Sequence, residues 1–335
     1  MNIIIITQPL LCNYGGLLQN FAMQKILEGM GHKVESVDYL KLPLFSSFFS
    51  YICSWIKTLV LLFTPKRRPF IKYTHKGFRS LISQEFVKKH LKLTKSCYNY
   101  SKRMLKKYDV VIVGSDQVWR PKYNYSIEDM YLKFAKGLSV KRIAFAASFG
   151  VDNWEYDFKQ TRECSKLAKK FDAISVRENT GVNLCKKYLG VEAAWVLDPT
   201  LLLAKEDYLS ICNEIPVCNE KYLAVYVLDE NPEVIKTYEK EADMHKLVVK
   251  KFYAGPKSNL TVPEWIAMFR DASYVVTDSF HGTVFSIIFQ KNFKCVYNKM
   301  RGSTRFESLL DLYNSDRLDE MRGFSLNWLK NALES

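Results

Sequence analysis

Tyr274-Val275-Val276-Thr277-Asp278-Ser279-Phe280-His281-Gly282-Thr283 is the stretch whose reading decides the fold. The β-branched run from Tyr274 to Thr277 has the length and composition of a buried strand. Asp278, Ser279 and Gly282 are residue types that end strands and open helices. The apolar run Val284-Phe285-Ser286-Ile287-Ile288-Phe289 then supplies a buried helix. His281 therefore stands at a strand-to-helix crossover, at the carboxyl end of a strand, where open α/β sheets bind their ligands. An imidazole, a carboxylate and hydroxyl groups crowd this turn. Position alone leaves two readings open: a reactive site, or a structural histidine beside a capped helix. The sheet rule locates a ligand without naming its chemistry.

Outward from this stretch, the same alternation of strand and helix covers the chain. Strands are expected at 3–7, 34–39, 109–113, 142–148 and 173–178, then at 222–228, 247–252, 274–277 and 293–297. Helices are expected at about 17–30, 180–188 and 232–244, from Thr261, from about Gly282, and in the tail from Ser303. Thr261 with Glu264 three residues on is a capping-box pattern. Asp198-Pro199 reads as a chain break. The expected fold class is α/β, with two Rossmann-like domains facing across a cleft. Residues 1–200 form the first, with a helical insert at 44–107. Residues 203–335 form the second, its last helix packing back on the first.

Two further strand ends resemble the one before His281. Ile3-Ile4-Ile5-Ile6-Thr7 leads into a loop that closes with Asn13-Tyr14-Gly15-Gly16, ahead of a helix expected from Leu17. Backbone N–H groups at such a glycine pair can hold an anion or a sugar hydroxyl; a tight turn explains the pair equally well. The loop is not G-x-G-x-x-G and lacks the lysine of a P-loop. Asp109-Val110-Val111-Ile112-Val113 runs into Gly114-Ser115-Asp116-Gln117-Val118-Trp119, again placing hydroxyl, carboxylate and amide groups at a strand end. Asp116 or Asp278 can orient the imidazole or accept a sugar hydroxyl, and Asp116 can equally be a helix cap.

Composition narrows the partners. Lys and Arg number 49 against 35 Asp and Glu, a net charge of +14. Nucleic acid, an anionic membrane surface and anionic substrates are each compatible with that excess. The basic residues come in short groups, such as Lys66-Arg67-Arg68, and no nucleic-acid-binding signature accompanies them. The eight cysteines form no C-x-x-C pair and no zinc-ligand spacing. They fit reduced thiols of a cytoplasmic protein, and MNIIIITQPL has the features of a strand rather than of a signal peptide. The segment 44–63 carries Lys57 as its one charge. Its length would allow a membrane span, but the serines and the single-sided aromatic face (Phe45, Phe48, Phe49, Ile52, Trp55, Ile56) fit a membrane-interfacial helix better. A buried or partner-facing helix is the competing reading. The oligomeric state is left open.

Five blocks occur in order: Asn13-Tyr14-Gly15-Gly16-Leu17-Leu18-Gln19, Val113-Gly114-Ser115-Asp116-Gln117-Val118-Trp119, Ser175-Val176-Arg177-Glu178, Leu197-Asp198-Pro199-Thr200 and Asp278-Ser279-Phe280-His281-Gly282. In this the chain resembles the polysaccharide pyruvyl transferase family. The resemblance implies a GT-B-like fold. It implies an enzyme that moves the pyruvyl group of phosphoenolpyruvate onto two sugar hydroxyls as a cyclic ketal, with no metal and no further cofactor. His281 matches the family's presumed acid/base and Arg177 an upstream arginine. Where the family often has arginine two places before the histidine, this chain has Ser279. Either one anion clamp is missing or another basic residue supplies it. The resemblance marks His281 for catalysis, and the reading of the strand ends adds Asp116 and Asp278. Together they mark Arg177, Glu178, Ser279, Gly282, Asn13, Tyr14, Gly15, Gly16, Gln19, Ser115, Gln117 and Trp119 for substrate binding. The acceptor would be a saccharide, free or lipid-linked, met in the cytoplasm or at the inner face of the membrane. A nucleotide-sugar glycosyltransferase and a non-catalytic carbohydrate-binding protein are the alternatives.

Overall fold

The computed structural model describes residues 1–40, 81–255, 258–296 and 304–335. Two sheets organise them. The first contains β1 (Asn2–Ile6), β2 (Lys33–Ser36), β3 (Val110–Val113), β4 (Lys141–Ala147), β5 (Ala173–Val176) and β6 (Ala194–Trp195), in the order β2-β1-β3-β4-β5-β6. The second contains β7 (Tyr222–Tyr226), β8 (Val248–Phe252), β9 (Tyr274–Thr277) and β10 (Asn292–Cys295), in the order β10-β9-β7-β8. All of these neighbours pair in parallel. Ile3 to Ile6 and Val110 to Val113 are buried without alternation. That is why they are apolar at every position: a parallel sheet is covered on both faces.

The strand orders matter for function. β2 lies on one side of β1 and β3 on the other, so the chain reverses its direction of travel between β1 and β3. In the second sheet β8 and β9 flank β7 in the same way. Each reversal opens a crevice at the carboxyl ends of its two strands. The loops that leave β1, β3 and β7 carry Asn13, Asp116 and Leu228, and the turn that leaves β9 opens the helix that carries His281.

The first helix departs from expectation. It runs Tyr14–Gly29, so Gly15 and Gly16 lie in its first turn instead of in a preceding loop. Gly31, just past its end, has φ +85°, the left-handed conformation that stops a helix. This helix also joins the two sheets. The Tyr14 ring meets Trp265 edge-on at 6.2 Å, and its hydroxyl donates to the Leu260 carbonyl at 2.6 Å. Phe21 packs on Tyr208, and Tyr208 on Phe285 at 5.0 Å. Ile3 and Ile5 of the first sheet thus share one apolar core with Trp265 and Phe285 around the second. The crevice has a packed floor.

Helix Val262–Asp271 begins with the expected capping box, Thr261 Oγ1 accepting from the Glu264 N–H and Glu264 Oε2 from the Thr261 N–H. The last helix, Leu318–Glu334, lies against the first sheet's elements. Leu197 N donates to Ser325 Oγ at 2.9 Å, Arg322 Nε to the Leu201 carbonyl at 2.7 Å, and Trp328 meets Phe145 at 6.0 Å. The aromatic segment 44–63 and the basic group Lys66-Arg67-Arg68 lie outside the described residues. Among the described residues no helix is long and apolar enough to cross a membrane.

Candidate active site

A pocket of about 110 Å³ sits where the two crevices meet. Asn13, Gly15, Asp116 and Gln117 reach it from the first sheet, and Tyr226, Leu228, Asp278, Ser279 and His281 from the second. Phe280, Arg305, Phe306 and Tyr123 complete its wall.

Short hydrogen bonds hold the loops across each crevice. In the first sheet, Thr7 Oγ1 donates to the Ser115 carbonyl at 3.0 Å and Gln8 Nε2 to the Gln117 carbonyl at 3.0 Å. Gln19 Nε2 donates to Thr7 Oγ1, and its Oε1 accepts from the Ser115 N–H. In the second sheet, Asp278 accepts from the Leu228 N–H at 2.6 Å and from the Asp229 N–H at 2.9 Å. Its carboxylate therefore ties the exit of β7 to the exit of β9. A register shift in β4 between Ala144 and Ala147 lets the Ala146 carbonyl accept from Ser115 Oγ. Bulges re-aim side chains in this way beside sites. Asp116 has φ +70°, a left-handed conformation that aspartate tolerates better than most residues.

His281 lies in the first turn of helix Phe280–Ile288, whose N-cap is Ser279. The side chain is buried, and its Nε2 has no hydrogen-bond partner among the described residues. Asp198 Oδ2 is 4.0 Å from that nitrogen. Asp198 is itself wholly buried and fully engaged. Its Oδ1 accepts from Thr200 N–H and Oγ1, and its Oδ2 from Arg177 at 2.5 Å and Ser115 Oγ at 3.3 Å. Arg177 also reaches Asp116 at 3.5 Å and lies over the Phe280 ring at 4.5 Å. Carboxylates thus occupy its guanidinium fork, and an aromatic face covers it.

Burial pushes the His281 imidazole below its ordinary value. Asp198 and Asp116 oppose that shift, while Arg177 and Arg305 add to it. The imidazole is therefore neutral near pH 7 and ready to act as a base. Burial opposes ionisation of Asp198, yet Arg177 and then His281 hold its carboxyl below the usual carboxylate range. A protonated His281 would accordingly have an anion beside it.

Gly15 is what lets the imidazole sit here. A Cβ at Gly15 would fall 2.2 Å from His281 Nδ1, an overlap that forces the ring to move. Gly15→Ala should leave the fold intact, since alanine favours the helix. It should lower turnover by roughly 10- to 100-fold, because small misplacements of a reacting group cost that much. Steady-state rates together with circular dichroism check this; unchanged turnover would mean that the position of the ring does not matter.

Of the sequence-marked residues, His281, Asp116, Asp278, Ser279, Asn13, Gly15 and Gln117 converge on the pocket. The others act behind it. Trp119 is not a pocket wall but a core residue. It stacks on Tyr131 at 4.8 Å, and its indole N–H donates to the Met130 carbonyl. Tyr14 joins the two sheets, Gln19 and Ser115 brace the β3 loop, and Gly16 packs beside Asn13. Glu178 Oε1 accepts from the N–H groups of Phe149 and Gly150. The Gly282 N–H goes to Ser279 Oγ at 3.4 Å, so it caps its own helix and is not an open anion donor. Two residues of the site carry no local signal. Asp198 looked like a chain break, and Arg305 like part of a helical tail. The fourth block of the resemblance did contain Asp198.

Two Rossmann-like domains whose topological reversals face one pocket make this a GT-B-like protein. The model of the family described as polysaccharide pyruvyl transferase matches residues 13–300. The chain belongs to that family. No curated protein matches the sequence. Among solved structures, the chain is similar to S. aureus MnaA in its structure with UDP, with a TM-score of 0.52, 10% identity and coverage of 99% of this chain and 96% of that one. A Methanocaldococcus jannaschii UDP-GlcNAc 2-epimerase in complex with UDP-GlcNAc and UDP gives a TM-score of 0.47 at 11% identity, over 88% of this chain and 83% of that one. E. coli heptosyltransferase WaaC with ADP gives 0.39 at 13% identity, over 88% and 86%.

Proposed function

We propose that this protein transfers the pyruvyl group of phosphoenolpyruvate to two hydroxyls of a saccharide, forming a cyclic ketal and releasing phosphate during surface-polysaccharide synthesis. The observation that carries the reading is the buried, neutral His281, its Nε2 unpartnered and Asp198 beside it, at a pocket of a chain in this family.

The chemistry balances without a further reagent. A proton added to the donor's methylene carbon leaves cationic character at its neighbour, and the first sugar hydroxyl attacks that carbon. Loss of phosphate breaks the bond to the bridging oxygen, and the second hydroxyl closes the ring. Two hydroxyl protons are released; one equals the proton gained by the methyl group and the other leaves with phosphate. A histidine near neutrality suits both directions of transfer. Neutral His281 first takes the proton of the approaching hydroxyl, and the imidazolium so formed, stabilised by Asp198 at 4.0 Å, is the source of the proton that reaches the methylene carbon. Asp116, at the pocket wall, is placed to accept a sugar hydroxyl. In this reading the acceptor is met in the cytoplasm, and the aromatic segment 44–63 with Lys66-Arg67-Arg68 would bring the enzyme to a lipid-linked acceptor at the inner face of the membrane.

Phosphate release from phosphoenolpyruvate that depends on added saccharide tests the reading; release independent of any saccharide would argue against it. The state of the base is tested separately. In the free protein, the His281 imidazole should titrate below 6.5 in an NMR experiment, because burial disfavours its charged form. Asp198→Asn should lower the midpoint further, since it removes the carboxylate that most opposes that shift. A midpoint above 6.5 would make the resting histidine an acid and reverse the assignment.

A further inference from the structure

Arg177 is the arginine that the family likeness marks for the donor, but its guanidinium is already engaged inside the protein. Asp198 and Asp116 flank it, Phe280 covers it, and it is absent from the pocket wall. Ser279, where the family often has arginine, is neutral and caps a helix. An anionic donor still needs a cation in the pocket. Among the described residues that line it, Arg305 carries the one fixed positive charge.

Arg305 comes from a different direction than the four strand-end loops. It stands in the first turn of helix Thr304–Asn314, which packs against the start of helix Phe280–Ile288. Its guanidinium lies 5.7 Å from the centre of the Phe280 ring, which Arg177 also approaches. Phe280 in turn meets the His281 ring edge-on at 5.4 Å. The two arginines and the histidine are thus arranged around one aromatic side chain. Asp116 and Asp278 also line this pocket, so without a cation the wall would repel a multiply charged anion.

We propose that Arg305 binds the anionic end of the donor, replacing the arginine that Ser279 displaces. The assignment rests on phosphoenolpyruvate being the donor. Arginine suits the role because its planar fork meets phosphate or carboxylate oxygens two at a time. Burial, and then the like charge of Arg177, bring its guanidinium down to about 10, so it stays charged at neutral pH. An arriving anion would relieve the repulsion between the two arginines. The pocket would then be better suited to a charged donor than to a neutral one.

The test uses calorimetric binding of phosphoenolpyruvate, and separately of inorganic phosphate, to the full chain, with donor KM measured in parallel. Arg305→Ala should weaken donor binding and raise KM by roughly 10- to 100-fold, the loss expected for a hydrogen bond to a charged group. Its kcat at saturating donor should change much less, unlike that of a His281 variant. Arg305→Lys should fall between, since it keeps the charge and loses the fork. Adding Ser279→Arg to Arg305→Ala should recover part of the affinity. Weakened inorganic phosphate binding by Arg305→Ala would assign the contact to the phosphate end, and unchanged phosphate binding with weakened donor binding to the carboxylate end. Circular dichroism confirms folding, and Arg305→Lys serves if the alanine variant does not fold. Donor binding by wild type that persists undiminished in Arg305→Ala and Arg305→Lys would overturn the assignment and leave the proposed reaction standing. No donor binding by wild type would overturn both.

Discussion

His281→Ala should lower turnover by ~100-fold or more at saturating phosphoenolpyruvate and saccharide, the usual contribution of a positioned acid/base. The loss should appear in kcat with little change in donor affinity, because in the proposed reaction the imidazole would act on protons and Arg305 on charge. His281→Gln, which can accept or donate a hydrogen bond but cannot shuttle a proton, should be as impaired as the alanine variant. The reason lies in the site. Nε2 is buried beside Asp198 without a hydrogen-bond partner among the described residues, a costly arrangement for a group with no task. Turnover near wild type in His281→Ala would remove the histidine from the reaction.

Asp198→Ala should cost about 3 kcal/mol of stability, read from denaturant unfolding, because it leaves the buried Arg177 charge with only the longer contact to Asp116 at 3.5 Å. Both side chains are almost wholly buried, and they approach to 2.5 Å. Replacing the pair together, as Arg177→Met with Asp198→Leu, should recover much of that loss, since apolar residues of similar size often match a buried ion pair. Activity should not return with the fold. The double variant lacks the anion that stabilises imidazolium and the cation that stacks on Phe280. Full activity in a stable double variant would reduce the pair to a structural brace. A loss in Asp198→Ala no larger than that of a surface change would mean that water reaches this charge.

Much of this organisation was legible in the chain. Ile3 to Ile6 and Val110 to Val113 announce themselves as parallel strands, because burial on both faces leaves no room for polar residues, and Val275 and Val276 do the same within Tyr274–Thr277. The strand-to-helix turn at Asp278 to Gly282 was equally readable from its caps. The first helix was harder. Asn13-Tyr14-Gly15-Gly16 has the composition of a turn, yet it begins the helix, since Gly15 is glycine for the sake of an imidazole that approaches from the other domain. No local pattern reports such a contact. Trp119 misled for a related reason: it follows a site motif directly, but the chain turns inward and puts the indole in the core. Asp198 and Arg305 become site residues only when the two crevices are brought face to face.

The central claim is tested most directly by following the donor's carbon. Phosphoenolpyruvate labelled at its central carbon would be incubated with the protein and a saccharide acceptor, free or lipid-linked, and the products read by carbon NMR. The account predicts that the label moves from an enol carbon to a saturated carbon bonded to two sugar oxygens, with one phosphate released per ketal formed. Unconsumed phosphoenolpyruvate beside a nucleotide sugar that is consumed in its place would contradict it, and would make this GT-B-like fold a glycosyltransferase.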